Sequence, residues 1–207
     1  EGDSIDPSEL QKELGVSRSV VREALRALGG KGLVGARPKH GTYVAPRDQW
    51  SLLDHDVLQW TFESQDMDAL FRSLIEVRLL VEPGAARFAA TRRIEQDLVD
   101  LRQALADMRG HLDPKGAAEA DLMFHRSLFR AAHNELLSRM QELVVAGLWM
   151  RDLVVHREGG LSQENLDLHE RVLDALERRD PPAAEHAVRE LLRFSARSTN
   201  IEPDAIA

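Results

Sequence analysis

The sequence lacks cysteine and long apolar runs, and each absence excludes a class of protein. None of the 207 residues is cysteine, which excludes disulfide frameworks and zinc sites built from thiolates. No apolar stretch approaches the roughly 20 residues that a membrane-spanning helix requires. No low-complexity tract is present, and a hydrophobic fraction of 43% is enough for one or two buried cores. We therefore expect a globular protein of the cytoplasm, without a membrane partner.

Charge is divided unevenly along the chain. The formal net charge is −8, but residues 1–47 hold 8 Lys and Arg against 6 Asp and Glu, a net of +2. Residues 48–207 hold 19 against 29, a net of −10. Positive charge is therefore concentrated in a short segment, and the acidic remainder would be repelled from a polyanion. This asymmetry predicts a small nucleic-acid-binding domain attached to a larger acidic domain.

The residues after Gly15 have the pattern of a helix that presents arginines. Glycine suits the tight corner after a short helix over residues 8–14, and the Ser17 side chain can cap the helix that follows. Apolar residues recur with helical spacing on one face, namely Val21, Leu25 and Leu28. Arginines recur every fourth residue on another face, namely Arg18, Arg22 and Arg26.

A basic segment follows this helix and ends in His40-Gly41-Thr42-Tyr43-Val44, which is typical of a hairpin. Arginine spacing alone would favour a solvated surface helix. The combination of short helix, turn, second helix and hairpin instead favours DNA binding. The major groove admits one helix, and a guanidinium can grip guanine or phosphate with two hydrogen bonds.

Residues 7–46 resemble the winged helix-turn-helix of the GntR superfamily of bacterial transcription regulators. The resemblance implies that two arginines of the second helix contact operator bases and phosphates, and that the wing reaches into the minor groove. The candidate DNA-binding residues are Arg18, Ser19, Arg22, Arg26, Lys39, His40 and Gly41. Ile5-Asp6-Pro7 departs from the usual leucine–proline helix start. Because the chain opens at Glu1 and the family carries an earlier helix, we expect that a first helix of about 20 residues is missing.

The remaining sequence has the periodicity of an all-α bundle, so the expected fold class is mainly α. Asp113-Pro114 and Asp180-Pro181 place a capping carboxylate before a proline, and Pro83 is expected to kink a helix. The predicted helices cover residues 54–63, 66–90, 92–110, 114–132, 135–156, 163–179 and 181–198. The predicted organisation is a winged helix-turn-helix at 1–47, an ordered linker at 48–53, a bundle at 54–200 and a tail at 201–207.

Three stretches of the bundle resemble the FadR subgroup of this superfamily, whose second domain is the effector-binding FCD domain. They are residues 76–86, residues 121–125 with Asn134, and residues 169–176 leading to Asp180, in order and at family-like separations. The resemblance implies that the bundle binds a small effector.

Asp121, His125 and His169 are the candidate metal ligands. The first two lie four residues apart, so a carboxylate and an imidazole project from one helix face, an arrangement that suits zinc, nickel or manganese. Spacing alone would favour a surface ion pair. The FCD resemblance implies a divalent metal held by one aspartate and three histidines, but Leu191 stands where the last histidine is usual, and His186 is a poor substitute. Three protein ligands would leave positions open for water or an effector carboxylate.

Arg78 is the main candidate for effector binding. A surface ion pair with Glu82, four residues later, is the alternative. The FCD resemblance implies an arginine that faces the effector cavity, where its planar guanidinium would hold a carboxylate through two hydrogen bonds. Asn134, Trp149 and Arg151 are the other residues that could line this cavity.

Residues 40–60 resemble the wing and linker of sugar-acid regulators in this subgroup, the galactonate type among them. We therefore expect a ligand-responsive repressor that binds a two-fold symmetric operator as a homodimer and is released by a small carboxylate. A regulator that senses the metal itself is one alternative. A metal-dependent hydrolase is the other, and the lack of an assignable general base, a nucleophile motif or a glycine-rich phosphate loop argues against it. No catalytic residue is predicted.

Overall fold

The computed structural model describes residues 1–37, 41–62, 67–110, 113–141 and 161–198. Backbone contacts divide the chain into two units, Glu1–Thr61 and Phe62–Ala207. The first contains a small sheet with helices, and the described part of the second is helical, which agrees with the predicted fold class. The division falls later in the chain than the expected linker at 48–53.

The first unit has the order helix, turn, helix and hairpin that the sequence predicts. Its helices are α1 (Pro7–Leu14), α2 (Arg18–Gly30) and α3 (His55–Phe62), the last ending at the boundary between the units. Its strands are β1 (Ser4–Ile5), β2 (Val34–Arg37) and β3 (Gly41–Val44), and they form an antiparallel sheet of order β1-β3-β2. We call β2, β3 and the residues between them the wing.

The turn between α1 and α2 is built as predicted. Gly15 has a φ of +65° and ends α1 in the left-handed conformation that glycine adopts without strain. The Ser17 hydroxyl accepts a hydrogen bond from the backbone N–H of Val20 at 3.4 Å, so α2 begins at Arg18. Val21 is the buried residue of α2, and it fixes which face of the helix points to solvent.

The segment after β3 is attached to the first unit at several points. The ammonium group of Lys31 lies 2.6 Å from a carboxylate oxygen of Asp54 and 2.9 Å from one of Asp56. Hydrogen bonding between Lys31 and Asp54 raises the pKa of the lysine and lowers the pKa of the aspartate. The indole of Trp50 donates to the carbonyl oxygen of Ala45 at 2.9 Å. The linker therefore packs against this unit and is not a free tether.

The described part of the second unit is an all-α bundle. It contains α4 (Met67–Arg92), α5 (Glu95–Gly110), α6 (Pro114–Ala131), a helical segment α7 at 135–141, α8 (Gln163–Glu177) and α9 (Pro181–Ser198). Helix α4 packs against α6, α8 and α9, and α5 packs against α6 and α8. Asp113 and Asp180 cap the helices that follow them, as predicted. Helix α4 continues through Pro83, where the kink stays a prediction.

Large apolar side chains from several helices fill the bundle core, including Leu101, Phe124, Phe129, Leu176 and Leu191. Helix α6 contributes two of these rings, so polar residues on the same face of α6 are also removed from water. Among the described helices, none is long and apolar enough to cross a membrane.

Gly32 is a position at which the first unit tolerates no side chain. Its φ is +76°, and an added Cβ would lie 2.0 Å from the carbonyl oxygen of Gln49. We expect Gly32→Ala to destabilise the unit by about 1–3 kcal/mol, because the strained backbone and the backbone clash act together. Gly30→Ala is the control, since space is open there and φ is not positive. Urea denaturation, monitored by tryptophan fluorescence, gives the free energies of unfolding of the Gly32→Ala and Gly30→Ala variants. Equal values would contradict the prediction.

Candidate functional site

Three predicted metal ligands come together in the second unit. Asp121 and His125 lie one turn apart on α6, and His169 lies on α8. All three are buried, and one potential ligand atom from each lies within 4.8 Å of the others. The His169 side chain reaches Asp121 and Phe124 of α6, and this completes a group of which sequence spacing indicated only two members.

The hydrogen bonding of His169 leaves one ring nitrogen facing the aspartate. Its Nδ1 lies 2.8 Å from the carbonyl oxygen of Asn165 and carries the proton, since a carbonyl can only accept. In the neutral ring Nε2 is then an acceptor. It lies 3.0 Å from Oδ1 of Asp121 without the geometry of a hydrogen bond. Two buried acceptors at this distance repel each other unless a proton or a cation lies between them. The residues therefore fit a divalent cation.

A carboxylate from α4 contacts the other histidine. Oε2 of Glu82 lies 2.7 Å from Nδ1 of His125, at an ion-pair distance but not at the angle of a hydrogen bond. A histidine that binds a metal through one nitrogen commonly presents the other to a carboxylate, which orients the ring. From the sequence, Glu82 is only a partner for Arg78, because nothing in its spacing shows that α4 packs against α6.

Arg78 forms the ion pair considered from the sequence, but inside the bundle and not on its surface. Its Nε lies 2.5 Å from Oε1 of Glu82, and the arginine is 4% exposed. Burial alone would raise the pKa of Glu82, but Arg78 and His125 lower it to about 2. Nη2 of Arg78 is buried and has no hydrogen-bond partner among the described residues. One donor is therefore left for an anion.

The other residues considered for this site do not join the group of Asp121, His125 and His169 in the described part of the chain. Leu191 is buried on α9 and supplies no ligand, whereas His186 on the same helix is exposed. The side-chain oxygen of Asn134 accepts hydrogen bonds from two backbone N–H groups at the start of α7, so this residue acts as a helix cap. Trp149 and Arg151 lie outside the described residues.

The predicted DNA-binding residues of α2 are exposed to solvent, whereas Val21 of the same helix is buried. They are Arg18, Ser19, Arg22 and Arg26, all exposed. Gly41, at the start of β3, has a φ of +77°. Lys39 and His40 lie outside the described residues. The arginines of α2 are therefore exposed, and their contact with DNA stays a prediction.

Arg37 is a basic residue of the wing that sequence reasoning missed. Its guanidinium lies 4.4 Å from the ring centre of Tyr43 on the neighbouring strand. A Cβ on Gly35 would lie 2.4 Å from that ring, so the glycine leaves the space that the ring occupies. Arg37 is also paired with Gly41 in the strand register. Stacking on Tyr43 therefore holds one more cation at the end of β2. The sequence signal for it was an arginine two residues after the glycine that lies opposite Tyr43.

Comparison with known proteins places both units in one family. Residues 73–194 match the FCD domain, and residues 1–44 match the bacterial regulatory proteins of the gntR family. The chain belongs to the GntR family. GntR regulators bind operator DNA and small-molecule effectors, so this chain is a transcription regulator with a DNA-binding unit and an FCD domain. The prediction that it is not an enzyme is confirmed, and the hydrolase alternative is set aside.

Similar GntR regulators cover most of the chain. The galactonate operon transcriptional repressor of Escherichia coli is 36% identical over 198 residues, which are 92% of this chain and 84% of the relative. The Uxu operon transcriptional regulator of Escherichia coli is 33% identical, with 90% of this chain and 74% of the relative covered. The solved structure of a Streptococcus agalactiae GntR has a TM-score of 0.58 at 26% identity and covers 95% of this chain and 90% of that chain.

The stability of the FCD domain should depend on pH through Glu82. Its pKa rises from about 2 in the folded chain to 4.5 in the unfolded chain, so its stabilising contribution is complete above pH 4.5 and is lost toward pH 2. At pH 7, Glu82→Gln should lower the free energy of unfolding by about 3–5 kcal/mol, because Arg78 then stays buried without its counter-ion. The difference from the wild type should narrow as the pH falls from 4.5 to 2.

Urea denaturation at several pH values measures this difference. Glu76→Gln, a half-buried glutamate of the same helix, is the control for loss of one acidic group. A difference that is the same at every pH would show that the ionised form of Glu82 does not stabilise the fold.

Proposed function

We propose that this regulator represses a sugar-acid catabolic operon and leaves its operator when a small organic acid binds in the FCD domain. The observation that carries the proposal is the buried Nη2 of Arg78, which has no hydrogen-bond partner in the part of the chain that the structure describes. Glu82, which pairs with Arg78, also contacts the candidate metal ligand His125. A guanidinium beside a cation suits a carboxylate. Similarity to the galactonate operon transcriptional repressor supports a polyhydroxylated monocarboxylate.

Asp121, His125 and His169 would hold a divalent ion, with zinc, nickel and manganese as the candidates. When bound, such an ion offers positive charge and open coordination positions to an oxygen of the acid. Leu191 supplies no ligand, so the described residues provide three. Arg78 would orient the carboxylate, and Asn134, Trp149 and Arg151 are proposed to line the remainder of the effector site.

In the DNA-binding unit, α2 would lie in the major groove and the wing would reach the minor groove. One such helix reads only a few base pairs, so we propose that a homodimer binds a two-fold symmetric operator. Binding of the acid would favour a domain geometry that no longer matches the half-site spacing. The proposed contacts are Arg18, Ser19, Arg22, Arg26, Lys39, His40 and Gly41.

A regulator that senses the metal itself is a second candidate. This candidate is favoured by the buried group of Asp121, His125 and His169. An ion bound there would draw ligands from α6 and α8 together. In that case the ion alone, without an organic acid, changes the affinity for the operator.

Arg22→Ala should weaken operator binding. The side chain is exposed on α2, and loss of one base or phosphate contact costs about 1–3 kcal/mol. If the contact is to phosphate, the slope of affinity against salt should also fall by about 1. Fluorescence anisotropy with DNA from upstream of the gene measures both quantities. Arg171→Ala, an exposed arginine of α8, is the control, and equal affinities for the two variants would contradict the prediction.

Galactonate should weaken operator binding by the metal-loaded protein by at least about 10-fold, since coupling between sites usually lies in this range. Galactose, which has no carboxylate, should have no effect. Chelation or His169→Ala should abolish the response to galactonate. The same anisotropy assay, with metal added back after chelation, separates the acid-responsive repressor from the metal sensor. The operator affinity of a metal sensor changes when the ion is added without an acid. Operator affinity that stays constant with galactonate and with other sugar acids would refute the effector class.

A further inference from the structure

The buried charges of the FCD domain form one connected cluster. Among the described residues of the whole chain, the buried ionisable side chains are Arg78, Glu82, Asp121, His125 and His169. Glu82 contacts Arg78 and His125, and His169 contacts Asp121. The two imidazole rings lie 5.6 Å apart. Three helices, α4, α6 and α8, therefore contribute to one ionic cluster.

The charges of this cluster do not cancel. With the histidines neutral, as metal ligands must be, one arginine and two carboxylates leave a single net negative charge. A divalent cation changes that charge to a single positive one, and one carboxylate from a ligand then makes the cluster neutral. Because uncompensated charge is costly to bury, the cation and the carboxylate should each favour binding of the other.

Glu82 joins the two binding positions. Its Oε1 accepts a hydrogen bond from Nε of Arg78 at 2.5 Å, and its Oε2 faces Nδ1 of His125 at 2.7 Å. We propose that Glu82 is a positioning residue that couples the two ligands, so that the site takes a divalent cation and a monocarboxylate as a pair. This inference rests on the proposed function and adds the regulation of its site.

The contacts also give the direction of the coupling. A cation on His125 draws electron density from the ring and strengthens the attraction between Nδ1–H and Glu82. Glu82 then shares less negative charge with Arg78, and Nη2 of Arg78 becomes a better donor to a carboxylate. Since coupling between binding sites is reciprocal, the acid tightens binding of the cation by the same factor.

Calorimetric titration of the full chain with galactonate, with and without bound Zn²⁺, tests the coupling. In the wild type, Zn²⁺ should tighten galactonate binding by at least about 10-fold. In Glu82→Gln this factor should be at least about 3-fold smaller, and a part of it should remain because the ion still attracts the carboxylate directly. Without any acid, Glu82→Gln should bind Zn²⁺ about 10-fold or more weakly, as after loss of other carboxylates that orient a metal-bound histidine. Glu76→Gln should match the wild type in both measurements.

A measurement on the wild type serves where Glu82→Gln is too unstable to titrate. Galactonate added to the Zn²⁺-loaded protein should shift the NMR resonance of the Nδ1 proton of His125. The reason is that Glu82 interacts more strongly with His125 when Arg78 also binds the carboxylate of galactonate. Galactose should not shift this resonance. A resonance that galactonate leaves unmoved while it binds would overturn the inference.

The outcomes separate this inference from the proposed function. Equal Zn²⁺ affinity and equal coupling in Glu82→Gln and the wild type would overturn the role of Glu82. If galactonate leaves operator affinity unchanged but Glu82→Gln still loses Zn²⁺ affinity, the proposed effector is wrong and the action of Glu82 on the metal site is supported.

Discussion

Removal of the Glu82 carboxylate from water is the constraint on which the helical domain depends. Its charge is tolerated because Arg78 on its own helix and His125 on α6 face its two oxygens. A shift of α4 along α6 by one helical turn would separate these groups and leave a buried charge without a partner. An apolar core would tolerate such a shift more readily, because apolar contacts are not directional. The ionic cluster therefore selects the register of α4 against α6, the helix that carries two of the candidate metal ligands.

The DNA-binding unit is stabilised in a different way, through its backbone and its surface. Its core is small, because a short domain can bury only a small part of its surface. Val21 is the buried residue of α2. The close approach of Gly32 to Gln49 and the contacts of Lys31 with Asp54 and Asp56 hold the chain after the wing in place. These contacts leave the arginine face of α2 exposed, so residues 1–47, which carry the excess of positive charge, keep the surface that would meet phosphates.

Local features could be predicted from the sequence, whereas contacts between helices could not. Ser17 and Asp113 mark helix starts because an N-cap satisfies N–H groups only two or three residues away. The pairing of Asp121 with His125 follows from helical spacing, but His169 was assigned from family resemblance alone. The contact of Glu82 with His125 depends on how α4 packs against α6, which spacing within one helix does not show. For the same reason, spacing predicts the ion pair of Arg78 with Glu82 but not that this pair is buried.

Leu191 determines what kind of metal site the cluster can be. A fourth protein ligand would complete a tetrahedral shell, and a closed shell of this kind is characteristic of structural metals. With a buried leucine on α9, the described residues supply three ligands. Under the proposed function, an oxygen of the acid would then take part in the coordination. An acid that provides this oxygen also contributes to retention of the ion. Under the proposed function, weaker binding of the metal alone and greater sensitivity to the acid would therefore be two consequences of one apolar residue.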